Sequence, residues 1–260
     1  MEGLMDALGS AEQVPSFMFW VLAIFTRLSV CLFLLPSIGE TSIPMRVRLV
    51  LALMITWLLL PLLWPSRAAM PTQLSEAASL IAMEGLIGFY IGFSFRMMIY
   101  ALQIVGAIVA QALSISQVMG EGMTTEPNTT VSAILILAGT TLLITLDFHI
   151  QAIGIFYQSF DLHPLGRGLD LNVTAYAFTH SAVKIFKIAF SLAAPFILLN
   201  FIYNLLLGFV NRSMPQLLVS FVGMPAITGV GIVLLVMSAS TLLLLWLSQF
   251  QDASRLWIAP

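Results

Sequence analysis

Charge is the first thing this chain lacks. Ten Lys and Arg and twelve Asp and Glu are spread over 260 residues, 8% of the chain, against about 25% in a soluble domain. A water-soluble fold of this size needs a polar skin, and so few charges cannot cover it. That excludes an ordinary soluble enzyme. A disordered chain is excluded too, because 60% of the residues are hydrophobic. The net charge is −2, without the basic excess of a nucleic-acid binder. Cysteine is nearly missing: Cys31 stands alone, so no intrachain disulfide can form. Basic residues are missing before Arg27, whereas a secretory signal opens on them. The first hydrophobic segment is therefore expected to be retained.

Catalytic and metal-site signatures are also missing. There is no Gly-x-Ser-x-Gly motif, no glycine-rich phosphate loop and no His-Glu-x-x-His. Asp147, His149, Asp161, His163, Asp170 and His180 lie within one polar stretch, but no His pair stands at i, i+4. Neither catalysis nor a resident metal or cofactor is expected. The stretch 147–181, with Pro164, Gly166 and Gly168, reads as a solvated connector.

What is present is apolar sequence in long runs. Phe17–Leu35 carries one charge, Arg27; Leu49–Leu63 carries none. Leu74–Val118 is 45 residues, about 67 Å as one helix, so it must break or leave a bilayer of roughly 30 Å. Val131–Leu146, Ala182–Val210 and Ala226–Phe250 follow. No β-alternation or internal repeat interrupts them, and an all-α polytopic membrane protein is expected. The placement of Arg46, Arg48 and Arg212 requires Tyr100–Val118 to enter the membrane and return. Lys184 and Lys187 then fall on the face that the same rule leaves poor in basic residues.

Four stretches can carry function. Ser37–Arg48, with Gly39 and Pro44, is either a membrane-edge loop whose arginines meet headgroups or a docking loop for a partner. Glu84 and Arg96 share a segment with Gly85, Gly88 and Gly92. Ionisable groups at membrane depth are costly, and Gly-x-x-x-Gly admits a close backbone, so tight helix packing and a conduction role are both open. From Gln103 to Thr130 the chain turns small and uncharged: Gly106, Ala107, Ala110, Gln111, Ser114, Ser116, Gln117, Gly120. Non-helical backbone at membrane depth survives only against protein or a watery cavity. A loop projecting into a polar lumen is expected, with Met119 and Met123 as adaptable contacts. Residues 211–226 join the last two segments. Asn211, Arg212 and Pro215 end one helix, and the connector still carries Leu217, Leu218, Val219, Phe221, Val222 and Met224, apolar surface that wants a partner.

At this loop the chain resembles a known family. Arg27, LLPSIGETSIPMRVRLVLAL at 34–53, EGLIGFYIGF at 84–93 and NRSMPQLLVSFVGMPAITGVGI at 211–232 are similar to the FliR/SctT family, the export-gate subunits of type III secretion. The family often carries Asn where this chain has Leu218. The resemblance covers essentially the whole chain. It implies helical hairpins like a fusion of the companion subunits FliP and FliQ: a FliP-like part over 1–180 and a FliQ-like hairpin over 181–260. It implies a re-entrant plug loop at about 106–122, with Gly106, Ala110, Gln111, Ser114, Ile115, Ser116, Gln117, Met119, Gly120 and Gly122 as pore or plug residues. Glu84, Gly85, Gly88, Gly92 and Arg96 are then expected in subunit packing. Asn211, Arg212, Pro215, Gln216, Phe221, Gly223 and Pro225 are expected in a partner loop facing FlhB.

The function expected is a non-enzymatic subunit of the flagellar export gate. It would form and close the channel with FliP and FliQ, pass unfolded flagellar proteins, and sit in lipid at the basal body in the bacterial inner membrane. The alternative is a small polytopic secondary transporter, for which the paired inverted repeats are missing.

Overall fold

The computed structural model describes residues 13–40, 43–64, 74–113, 129–166, 170–213 and 219–258. Among them every element is a helix and no strand occurs. In chain order these are α1 (Gln13–Leu34), α2 (Met45–Leu63), α3 (Leu74–Ala112), α4 (Thr130–Thr145), α5 (Phe148–Leu162), α6 (Leu171–Ser213) and α7 (Val219–Ile258). Five of them, α1, α2, α3, α6 and α7, are long and apolar enough to cross a bilayer. The pair α4 and α5, broken at Leu146–Asp147, makes a sixth candidate. The chain is an all-α integral membrane protein.

Local chemistry sets the helix ends. Pro44 takes the N-cap of α2 with φ −56° and ψ 140°, a geometry proline prefers. The break after α4 falls on Asp147, whose φ of 56° is left-handed; Asp tolerates that conformation better than a bulky residue.

The chain divides into two compact units. The first comprises Met1–Arg96, Leu143–Thr179 and Ala253–Pro260. Here α1 buries Trp20, Ala23, Ile24, Arg27, Leu28, Cys31 and Leu32, the i, i+3, i+4, i+7 stripe of a helix packed on one side. It lies against α2, and α3 buries Glu84, Ile87, Ile91 and Phe95. The second unit comprises Met97–Leu142 and His180–Asp252. Its core is built from Leu102, Val105 and Val109 of α3, Ser132 and Leu135 of α4, Ala189, Ala193 and Phe196 of α6, and Trp246 and Phe250 of α7. The Trp246 indole N–H donates to the Met98 carbonyl at 2.8 Å, which satisfies the one polar atom of that buried ring.

Three expectations change. The stretch after Asp147 is not a connector: α5 occupies Phe148–Leu162 and buries Phe148, Ala152, Ile155, Phe156, Ser159 and Phe160. Those positions recur every three or four residues, while His149, Gln151 and Asp161 face outward, so the helix is amphipathic and a scan for uncharged runs passes over it. Helix α6 likewise begins at Leu171, eleven residues before the apolar segment expected from Ala182. Finally, α3 runs through Tyr100 to Ala112 without a break. The stretch expected to enter and return is thus helical as far as Ala112, and its remainder, 114–118, lies outside the described residues.

Candidate functional site

Among the described residues, the two charges buried in the first unit meet each other. Arg27 of α1 donates its Nε to Glu84 Oε2 of α3 at 2.6 Å, and both side chains are 1% exposed. An isolated charge in such a place is costly, and a pair persists only when its other donors and acceptors are used. Here they are. Arg27 Nη1 donates to the Ser159 carbonyl at 2.9 Å and Nη2 to the His163 carbonyl at 2.8 Å. The Gly166 N–H donates to Glu84 Oε1 at 3.3 Å. The guanidinium also lies 4.1 Å from the centre of the Phe160 ring, within cation–π range. Ser159 and His163 belong to the C-terminal end of α5, where the helix dipole is negative; the Ser159 carbonyl also accepts from the His163 N–H at 3.0 Å. Arg27 therefore caps α5 from another helix, and Glu84 holds both the cap and the turn that follows.

Close helix packing brings the pair together. A side chain at Gly88 would strike the backbone of Arg27, and one at Gly92 would come within 2.7 Å of the Cys31 carbonyl oxygen. Gly85 is looser, with its nearest neighbour, Thr26 Cγ2, at 3.5 Å. The close approach that Gly88 and Gly92 permit is thus to α1 of the same chain. In lipid, where helix association depends on packing and hydrogen bonds rather than on escape from water, such contacts carry much of the stability. Arg96 does not join Glu84. It pairs with Glu40 at 2.6 Å, each about a fifth exposed. Arg48 donates to the carbonyls of Glu40 and Ile43 at 3.1 and 2.8 Å, so it braces the turn before α2.

His163, in the turn beyond α5, is half-buried, and its pKa is lowered from 6.5 first by burial and then by the charge of Arg27.

The expected plug stretch begins inside helix α3. Gly106 is buried against α4, where any side chain would meet the Ser132 backbone. Ser132 Oγ donates to the Gln103 carbonyl at 2.9 Å, and Thr129 Oγ1 donates to the Gly106 carbonyl at 3.4 Å. Ala110 is buried and Gln111 exposed. At the end of α3, the Thr228 hydroxyl of α7 donates to the Leu113 carbonyl at 2.7 Å, and the Leu113 side chain fills the notch at Gly231. So 106–112 is helix rather than loop, with Gly106, Ala110 and Ala112 turned into the packing. Ser114, Ile115, Ser116, Gln117, Met119, Gly120 and Gly122 lie outside the described residues.

The connector between α6 and α7 is shorter than expected. Asn211 and Arg212 are exposed in the last turn of α6, Pro215 and Gln216 lie outside the described residues, and Phe221, Gly223 and Pro225 belong to the first turns of α7. Gly223 faces the ring and hydroxyl of Tyr203. The groups contributed by Ser159, His163 and Gly166 were invisible in the sequence, since two carbonyls and an amide carry no residue signature.

Among the described residues no three His, Cys, Asp or Glu gather as metal ligands. What the chain offers instead is uncovered apolar surface. Trp57 and Met54 on α2 are 76% and 64% exposed, and Val236 and Met237 on α7 are 72% and 76% exposed. Surface of that kind faces lipid or other proteins.

The family model described as bacterial export proteins, family 1, matches residues 18–253. A flagellar biosynthetic protein FliR of Caulobacter vibrioides is 28% identical over 249 residues, 95% of this chain and 98% of that protein. The Escherichia coli protein of the same name is 33% identical over 202 residues, 77% of this chain and 76% of its own length. That of Aquifex aeolicus is 28% identical over 253 residues, 95% and 94% of the two chains.

Proposed function

The chain belongs to the bacterial export proteins, family 1, the family of the flagellar biosynthetic protein FliR, and on that premise we propose that it is a membrane subunit of the flagellar protein export apparatus. The observation that carries this reading is the match over 18–253, reaching nearly end to end in relatives from distant bacteria. In finer detail, the subunit forms and closes the export channel in the bacterial inner membrane, at the flagellar basal body. FliP and FliQ cover part of its exposed apolar surface, with residues 1–180 in the FliP-like role and 181–260 in the FliQ-like role. The end of α6 and the start of α7 meet FlhB, and unfolded flagellar proteins are the cargo. Its work is transport rather than catalysis.

The stretch 114–122 closes the pore. Two anchors support this. The chain leaves α3 at Leu113, held there by Thr228, and is back beside α3 at Thr129, bonded to Gly106. Both flanks of the stretch are thus bonded to helices of the chain. Deleting residues 114–119 tests this, since it leaves both anchors intact. Ion leak across the membrane is expected to rise; an unchanged leak in a variant that still assembles refutes the plug. Co-purification with FliP and FliQ in mild detergent tests the assembly, and isolation of a monodisperse lone polypeptide contradicts it.

A further inference from the structure

Helix α6 is too long for one crossing. Its 43 residues span about 64 Å, twice a hydrocarbon core of roughly 30 Å. Its charges divide it unevenly. Lys184 and Lys187 are followed by 24 uncharged residues, 188–211, before Arg212 in the last turn. That run is about 36 Å long, the core thickness with a small margin at each face.

The two sides of the helix differ as well. Ile185, Ala189, Ala193 and Phe196 are buried, and their spacing puts them on one side, turned toward protein. Asn200 and Asn204, hydrogen-bonded to each other at 2.8 Å, continue that side. Lys184 and Lys187 fall on the opposite side, which continues through Leu198 and Phe209, 57% and 64% exposed. Beside the lysines, Val183, Phe186 and Phe190 are each about half exposed. Neither lysine has an acidic partner among the described residues.

We propose that α6 crosses the bilayer only over residues 188–211, and that Lys184 and Lys187 form a docking strip for anionic phospholipid headgroups, with Arg212 reaching the headgroups of the other face. An ammonium group is too strongly hydrated to rest in hydrocarbon, yet its long stem lets it sit on apolar surface with its head at a phosphate. The exposed aromatic and aliphatic neighbours are suited to lipid rather than to water. An acidic protein surface would match the lysines but gives no reason for a basic group one bilayer away. Neutralising each lysine is expected to weaken the preference for anionic lipid by roughly five-fold. The proposal stands on the membrane character of the chain and not on the export reading.

The test uses the full chain isolated from its membrane with its companion subunits and reconstituted in nanodiscs, with Cys31 changed to Ser. A fluorophore is attached in turn to Val183→Cys and Leu198→Cys. Chain-labelled nitroxide phosphatidylglycerol is expected to quench the probe at 183 more strongly than equally labelled phosphatidylcholine. High salt and the double variant Lys184→Gln/Lys187→Gln should remove the excess. At 198 both lipids should quench equally, as expected within the core. Equal quenching by both lipids at 183 overturns the docking strip. No quenching at 198 overturns the crossing, because another protein then covers that side. Assembly of the double variant is checked by its co-purifying subunits, which a surface substitution leaves unchanged.

Discussion

Removing Arg27 and Glu84 together is expected to destabilise the first unit by less than the sum of the two single removals. In Arg27→Leu the Glu84 carboxylate keeps only the long bond from Gly166 N, at 3.3 Å, and the carbonyls of Ser159 and His163 lose donors at 2.9 and 2.8 Å. One uncompensated buried charge costs about 3–5 kcal/mol. The carbonyls add little to this, because Ser159 still accepts from the His163 N–H at 3.0 Å. In Glu84→Leu the guanidinium is orphaned at comparable cost. The double variant Arg27→Leu/Glu84→Leu leaves no buried charge. It should therefore be less destabilised than the sum of the two single variants by about 2–3 kcal/mol, the upper range for residues in direct contact. The loss in each single variant corresponds to roughly 6–15 °C in melting temperature. The assay is the melting of detergent-solubilised chain, followed by fluorescence-detected gel filtration, for the wild type and the three variants. Additive losses in the double variant would refute the coupling. A single-variant loss under about 1 kcal/mol would refute the claim that the pair is buried and needed.

The glycines should respond in order of their surroundings. Gly88→Ala, which meets the Arg27 backbone, should cost about 1–3 kcal/mol from overpacking, whereas Gly154→Ala, with nothing near it, should gain up to about 1 kcal/mol of helix propensity; equal melting temperatures would show that α1 and α3 are not in close contact. Trp246→Phe removes the bond to the Met98 carbonyl and should cost about 1–3 kcal/mol, read in the same melting assay. His163 has a folded pKa below its ordinary 6.5, so the unfolded chain binds the proton first, and stability present above about pH 6.5 should decline as pH falls through that window. His163→Gln should flatten this part of the pH profile, and an unaltered slope would assign it to other groups.

The class of the fold was legible in the sequence, but its seams were not. Apolar runs with at most one charge mark α1, α2, α4 and α7 well because lipid-facing and core-facing positions there are both apolar. They fail at α5, where the buried side is Phe148, Ala152, Ile155, Phe156 and Phe160 and the other side carries His149, Gln151 and Asp161. Only the 3.6-residue period reveals such a helix. The small residues near Gly106 suggest a loop by composition, yet Gly106 is small because Ser132 packs on it. Small residues at membrane depth mark close packing as readily as a break, and sequence does not separate the two. Sequence proximity set Glu84 beside Arg96 in one segment, whereas the fold pairs Glu84 with Arg27 of α1 and Arg96 with Glu40. The backbone partners of Arg27 and Glu84 at Ser159, His163 and Gly166 could come only from the fold.

The most direct test of the proposed role is secretion itself. In a flagellated strain deleted for this chain, filament subunits in the growth medium are quantified with and without the restored wild-type chain. Loss of secreted filament subunits in the deletion, with unchanged amounts inside the cell and recovery on restoration, is the predicted result. Normal secretion without the chain would contradict a role in the export apparatus.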